Sequence, residues 1–441
     1  MTAAAKTVCK EANQGFPQGW DVCQLGELCT LITKGTTPTT LGFSYQASGI
    51  NFIKVESIDG RGQINLEKAA RISEAAHNAL NRSKLQAGDV LYSIAGAIGR
   101  SAIVQNCHLP ANTNQALAII RPRDEIDTAY LRFVLSSETQ LDHIAQISVS
   151  SAQANISLKD VSTFPVPLPP RPEQQKIAAI LTAVDDKLDV IARQIEATQT
   201  LKQGLMRMLF SQGVGAQDAD GRWVPHAEFK DTEQGRVPAA WSVQTLEQVA
   251  VVERGKFSAR PRNDPKYFEG GDIPFVQTGD VAKSGRLIST ASQFLNEAGL
   301  KVSKLFEPGT IFLTIAANIG DVAIAAIPMA CPDSVVGIRA VEGACDPAWL
   351  YYLLSANKGY FDSRATQNAQ KNINLQVLRP FRFAMPPPAE QAQIGLMLTA
   401  LDEKLESLGR RLHHHQTLKR GLMQKLLTGE WRVKVDAERA A

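Results

Sequence analysis

The chain has 441 residues, 44% of them hydrophobic and 21% charged, with a formal net charge of +3. That length exceeds one ordinary core and suits two or three domains, and the near-neutral charge neither demands nor forbids a nucleic-acid partner. No run of 18 or more apolar residues argues for a membrane span, and the N-terminus lacks the basic-then-apolar layout of a secretion signal. The six cysteines (Cys9, Cys23, Cys29, Cys107, Cys331 and Cys345) form no Cys-x-x-Cys pair, which points away from zinc or redox sites and towards reduced thiols in the cytoplasm.

From the N-terminus, "GWDVCQLGELC" around Trp20 opens a first globular stretch. "INFIKVESI" (Ile50–Ile58) alternates apolar and polar residues and predicts a half-buried strand, and "GDVLYSIAGAIG" predicts a strand entered by a Gly turn. "TAYLRFVLSS" (Thr128–Ser137) predicts a short helix. Prolines Pro169, Pro170 and Pro172 then lead a long helix, with Glu173 in its first turn, where a negative charge is favourable. Its apolar residues Val184, Leu188, Ile191 and Ile195 follow a four-three-four spacing, the seam of a coiled coil, which turns polar at Thr198 and resumes at Leu205. Gly213 is expected to stop it, and a polar, Gly-rich connector follows.

The whole pattern then repeats. Trp241 answers Trp20, "IPFVQTGDV" (Ile273–Val281) predicts the equivalent strand, "GTIFLTIAANIG" answers "GDVLYSIAGAIG", and "PAWLYYLLSA" (Pro347–Ala356) answers the short helix. "AQKNINL" answers "AQANISL", and a second proline-led helix carries Glu390, the seam Leu401, Leu405, Leu408 and Leu412, a polar break at His415, a resumption at Leu422 and a stop at Gly429. The division is a first head at 17–168, a long helix at 169–213, a connector at 214–237, a second head at 238–385 and a second long helix at 386–430. The class is α+β. Nearly half of the aligned helix positions are identical, whereas the heads match only in islands. A scaffold that stays alike while its heads diverge suggests one task performed on two targets. Forty residues of helix measure about 60 Å and cannot bury an apolar stripe alone, so each copy is the natural partner of the other.

Catalytic readings fare poorly. "NDPKYF" around Asp264 lacks the second proline of an adenine-methylation motif, no Gly-rich donor loop precedes it, and no Walker spacing occurs. The run His413-His414-His415 points in different directions around a helix, so it reads as two solvated histidines and one polar seam residue. Asp185-Asp186-Lys187 and Asp402-Glu403-Lys404 are expected on the exposed side of the coiled coil, as a solvated face or a docking surface. The Pro-Pro runs are expected to stiffen the junction of head and helix.

The proline-led "PPRPEQQKIAAIL" and "PPPAEQAQIGLML", the following "DDKLD" and "DEKLE", the later "QTLKQGLMRMLF" and "QTLKRGLMQKLL", and "PKYFEGGDIPFVQTGDV" together resemble the specificity subunit of type I restriction–modification enzymes. The likeness runs from about Pro17 to Trp431. It implies two target recognition domains, each reading one half of a split sequence in double-stranded DNA, separated by two helices packed as an antiparallel coiled coil that sets the spacer. It implies two modification (methyltransferase) subunits docked on this chain and two restriction subunits with motor and nuclease activity. S-adenosylmethionine, ATP and Mg would then sit on those partners, with no cofactor, metal or catalytic residue on this chain. Two other readings stand beside it: a coiled-coil adaptor whose heads bind proteins without DNA specificity, and the recognition part of a fused restriction–methylation enzyme.

Under the leading reading, DNA contacts fall on the heads, where Lys and Arg meet phosphates and Arg, Lys, Asn and Gln meet base edges. The second head offers Arg254, Lys256, Arg260, Arg262 and Lys266, and the corresponding stretch of the first offers Lys34, Thr36 and Thr37. Gln153 and Asn155, with Gln370, Lys371 and Asn372, are shared islands expected to bind backbone or shape structure. "ANTNQ", with Asn112, Asn114 and Gln115, and "CPDSV" (Cys331–Val335) are expected at equivalent places, where differing polar residues would specify different bases.

Overall fold

The computed structural model describes residues 10–11, 16–148, 155–233, 235–365 and 372–435. The chain divides into two compact units, residues 1–192 with 410–441 and residues 193–409. The long helices run Arg171–Ser211 and Pro388–Leu427. Each unit therefore holds one head, the first part of one long helix and the last part of the other.

The two heads share one order of seven strands, to which the second adds Leu287–Ile288 and Leu305–Phe306, one at an edge of each sheet. In the first unit, strands Cys29–Lys34, Leu117–Pro122, Val90–Ser93 and Ser101–Ile103 form an antiparallel sheet in that order. A second sheet orders Ala70–Ile72, Ile50–Ile53 and Ala111–Thr113, the last pair parallel. In the second unit the equivalents are Ala250–Arg254, Val335–Ala340, Ile311–Thr314 and Val322–Ala325, with Gln293–Leu295, Ile273–Phe275 and Met329–Ala330 in the second sheet. The alternating stretches make shorter strands than their patterns predict. Val55–Ser57 turns into a 3-10 helix and Thr278–Lys283 into an α-helix. Asp280 drives the second change by accepting the Gln277 amide at 2.9 Å, an N-terminal cap that outweighs local alternation. The predicted short helices form at Thr128–Leu135 and Pro347–Ala356, capped by Asp127 and Asp346.

The short helix packs against the long one in each unit. Tyr130, Phe133 and Phe164 share a core with Ile177 and Leu181 from the start of the first long helix and with Leu426 and Leu427 from the end of the second. Trp349, Tyr352 and Phe383 do the same with Ile394, Leu398 and Leu209. Each such buried aliphatic side chain contributes roughly 1.5–3 kcal/mol. The start of one long helix thus lies beside the end of the other in each unit, an antiparallel arrangement. Of the seam residues, Leu188, Ile191 and Leu408 are buried, and Val184, Ile195, Leu401, Leu405 and Leu412 are half-buried. Thr198 is buried and satisfies its hydroxyl on the Gln194 carbonyl, and half-buried His415 does the same with Arg411. His413 and His414 are exposed.

Three polar devices occur twice. Glu173 accepts from Trp20 Nε1 at 3.1 Å and from Arg432 at 2.7 and 2.8 Å. Glu390 accepts from Trp241 Nε1 at 2.9 Å, from the amides of Val214 and Gly215, and meets His226 at 3.0 Å. Gln174 and Gln391, one residue on, each accept the backbone amide of the cap residue of the short helix, Asp127 at 2.8 Å and Asp346 at 2.9 Å. Finally, Asp185 lies 2.6 Å from Lys419, and Asp402 lies 2.5 Å from Lys202. Their second oxygens accept from Arg132 at 2.8 Å and from the Tyr352 hydroxyl at 2.6 Å.

These aspartates correct the expectation of an exposed acidic face. Asp185 is buried and Asp402 half-buried, while Asp186 and Glu403 remain exposed. A carboxylate one position from the seam is aimed at the partner helix once that helix supplies a cation. Two further expectations change. Residues 214–237 are no plain connector but fold into hairpins, Ala216–Gln217 with Trp223–Val224 and Phe229–Thr232 with Gly235–Pro238. Cys23 is disulfide-bonded, whereas Cys29, Cys107, Cys331 and Cys345 are free thiols, so among the described residues the expectation of reduced thiols fails at Cys23; tertiary proximity, not sequence spacing, decides such pairing. No helix among the described residues is long and apolar enough to cross a membrane.

Candidate nucleic-acid interface

In both heads the first strand of the larger sheet ends at a cation followed by glycine, Lys34-Gly35 and Arg254-Gly255. The glycine is required by close approach. A Cβ on Gly35 would lie 1.9 Å from the Thr113 carbonyl oxygen, and one on Gly255 would lie 2.3 Å from that of Pro332. The chain then hydrogen-bonds across: Thr36 N donates to Thr113 O at 3.2 Å, and Lys256 N donates to Cys331 O at 2.9 Å. Gly35 and Gly255 donate to Leu117 O and Val335 O. These bonds align Thr113 with Cys331 and Gln115 with Asp333. The expected pairing of "ANTNQ" with "CPDSV" therefore slips by two residues, because no identical side chain marks the register in sequence.

The first head brings Lys34, Thr36, Thr37 and Gln115 together at this turn. Lys34 and Gln115 are exposed, and the Thr37 hydroxyl donates to Gln115 Oε1. Arg82, which the sequence reading missed, donates to the Thr36 hydroxyl at 3.2 Å. Its signal was the basic "NRSK" just after a short helix, which answers "KVSK" in the other half but carries Arg82 where that copy has Val302. Asn114 is half-buried and caps its own turn on the Ala116 amide. Asn112 is not a DNA contact candidate: it is fully buried and donates to Leu80 O at 3.2 Å and Ser83 Oγ at 3.0 Å, meeting His77 with its own oxygen. A polar residue inside a strand reads as functional in sequence, yet here it satisfies buried backbone.

In the second head, Asp333 organises two of the cationic residues. Arg262 donates to its carboxylate at 2.9 Å, and Arg254 Nε donates to its carbonyl at 2.5 Å. Lys256 is exposed. Arg260 folds back onto the carbonyl of Ala259 at 2.7 Å. Lys266 pairs with Asp264 at 3.0 Å; that hydrogen bond holds the Asp264 carboxyl below its usual range and raises the Lys266 ammonium. Of these five exposed cations, Asp333 thus gathers Arg254 and Arg262, while Arg260 and Lys266 are engaged by acceptors beside them in the chain.

Asn155 and Asn372 occupy equivalent places. Each pairs with the turn that follows a central strand, at Ala95 and Ala316. Asn155 is exposed and Asn372 half-buried. Gln153, Gln370 and Lys371 lie outside the described residues. The turn itself demands a left-handed residue. Gly96 supplies it in the first head (φ 75°), whereas Ala317 adopts φ 61° in the second.

Residues 17–199 and 238–413 each match the family described as the type I restriction modification DNA specificity domain. Relatives include the chain designated the type I restriction enzyme MjaX specificity subunit of Methanocaldococcus jannaschii, 26% identical with 95% of both chains covered. The EcoKI specificity subunit of Escherichia coli K12 is 19% identical, over 96% of this chain and 90% of that one. Among solved structures, the type I restriction-modification S subunit from M. genitalium superposes with a TM-score of 0.60 at 15% identity, covering 95% of this chain and 98% of that one. A chain from a study of complex assembly in the type I R-M system gives 0.54 at 18% identity, over 94% and 99%. With two matched domains, two heads sharing one strand order and relatives aligned end to end, this chain belongs to the type I restriction–modification DNA specificity family.

Proposed function

We propose that this chain is the non-catalytic sequence-recognition subunit of a type I restriction–modification complex, with each head reading one half of a split DNA target. The observation that carries the reading is the duplicated turn. One backbone framework presents Gln115 with Thr37 in the first head and Asp333 with Arg262 in the second. The same scaffold carrying different chemistry at one exposed point is what a bipartite reader requires. The paired long helices set the spacer and dock two modification subunits, and two restriction subunits join for cleavage. S-adenosylmethionine, ATP and Mg belong to those partners.

Binding to duplexes carrying the split target, measured across a salt series, tests this. Phosphate contacts release counterions, so log K should fall linearly with log salt, and scrambling either half-site should weaken binding. Salt-independent binding, or equal affinity for every sequence, would favour a protein adaptor instead.

A further inference from the structure

Resting on that reading, we infer that Gln115 and Arg262 are the base-reading side chains of the first and second heads, and that Thr37 and Asp333 position them. The equivalence comes from backbone hydrogen bonds rather than from sequence. Thr36 and Lys256 donate to Thr113 O and Cys331 O, which places Gln115 and Asp333 at one position. Around that position the two heads agree in one respect and differ in another. Both carry a cation just before the glycine, Lys34 and Arg254, suited to a phosphate, which has the same chemistry at every base pair. They differ in what projects beyond it: a neutral amide in one, a guanidinium in the other.

Each projecting group is suited to one base. A carboxamide matches the N6 donor and N7 acceptor of adenine, and a guanidinium matches O6 and N7 of guanine. Both groups are exposed and held by a neighbour. Arg262 and Asp333 retain 51% and 39% side-chain exposure, so their ion pair adds little to folding. What it does is fix the plane of the guanidinium while using few of its five donors. Orientation held in advance is what bidentate readout needs, and a lysine cannot supply the planar fork.

The test is selection of bound duplexes from a randomised pool by the full-length chain, purified with its partner subunits. Wild-type protein is expected to select a split motif. Arg262→Ala should relax one guanine position in a single half-site, with preference falling roughly 5- to 150-fold, and leave the other half unchanged. Gln115→Ala should relax one adenine position in the opposite half. Arg262→Lys should fail to restore the guanine preference while keeping the salt dependence. Asp333→Ala should lower the same preference while raising affinity for unrelated duplexes, a combination that a merely structural role would not produce. Restoration by Arg262→Lys would make Arg262 a phosphate contact and overturn the assignment, as would motifs unchanged by these variants. A wild-type chain that selects no split motif would instead overturn the proposed function itself.

Discussion

Replacing Asp185 by alanine should destabilise the first unit more than the matching Asp402→Ala destabilises the second. The two sites occupy equivalent helix positions and differ in what they leave behind. Without Asp185, the guanidinium of Arg132 and the ammonium of Lys419, only 11% and 19% exposed, face each other with no counter-charge between them. Stranding buried charge in this way costs about 3–5 kcal/mol. Without Asp402, Lys202 is 22% exposed and its neighbour is the neutral Tyr352 hydroxyl, so a lost charge-assisted bond of about 1.5–3 kcal/mol dominates. For a unit of this size each kcal/mol moves the midpoint by roughly 2–4 °C. Asp185→Ala should thus lower the first unit's transition by roughly 6–20 °C. Scanning calorimetry of the full chain reads both transitions, and Asp402→Asn, which keeps an acceptor for Tyr352, should be the mildest variant. A loss from Asp185→Ala below about 1 kcal/mol, or a larger loss from Asp402→Ala, would refute the account of these aspartates as ties between helix and helix.

Ala317→Gly should stabilise the second unit by about 1 kcal/mol, since alanine at positive φ is strained and the equivalent Gly96 is not; a lowered melting midpoint would count against it. Of Cys29, Cys107, Cys331 and Cys345, Cys107 should react with a thiol reagent in the native state, because it is exposed whereas burial pushes the Cys29 and Cys345 thiols up to about 12 and raises that of Cys331 as well; mass spectrometry of the labelled peptides decides. Inserting four helix-compatible residues near Thr198 should lengthen the rod by roughly 6 Å and rotate it by about 40°, widening the unread spacer by one or two base pairs with both half-sites intact. Methylation mapping of the target checks this, and an unchanged spacer would show that the helices do not set the distance. A chain ended after His226 should self-associate and direct methylation to a palindrome of the first half-site; sedimentation and the same mapping test it, and a folded monomer would count against it.

The duplication, the class of the heads and the two long helices were legible in the sequence because each rests on local pattern. Leu188, Ile191 and Leu408 are buried where the heptad spacing puts them. The polar residues were not legible in the same way. Asp185 and Asn112 look like surface residues one at a time, and each is buried because a distant segment brings a partner: Lys419 for one, the Leu80 carbonyl and Ser83 for the other. The cationic run of the second head failed in the opposite sense. Its charges are close in sequence, but Arg260 and Lys266 turn to acceptors beside them in the chain, whereas Arg254 and Arg262 are gathered by the distant Asp333. Both halves carry a tryptophan at the start of the head and a glutamate at the start of the long helix, so the repeat itself held a signal of the clamp in which Trp20 meets Glu173 and Trp241 meets Glu390.

That clamp explains why a linear division into heads, helices and connector is not the division by contact. Glu173 is closed by Arg432, which follows the second long helix; Glu390 is closed by Val214, Gly215 and His226, which follow the first. Each head is completed by the segment that leaves a helix begun in the other half of the sequence. Neither half is complete on its own, since a lone first half lacks Arg432 for Glu173 and Lys419 for Asp185. A second copy of that half can supply equivalents, because Lys202 stands on the first helix where Lys419 stands on the second, and the 214–226 segment follows it where Arg432 follows the other. The reciprocal pairs Asp185–Lys419 and Asp402–Lys202 would then become two identical pairs between copies. An antiparallel pair of like helices permits that exchange because it maps each strand of contacts onto itself when the copies are swapped. The physical cause of a symmetric half-length assembly is therefore present in these side chains, before any DNA is bound.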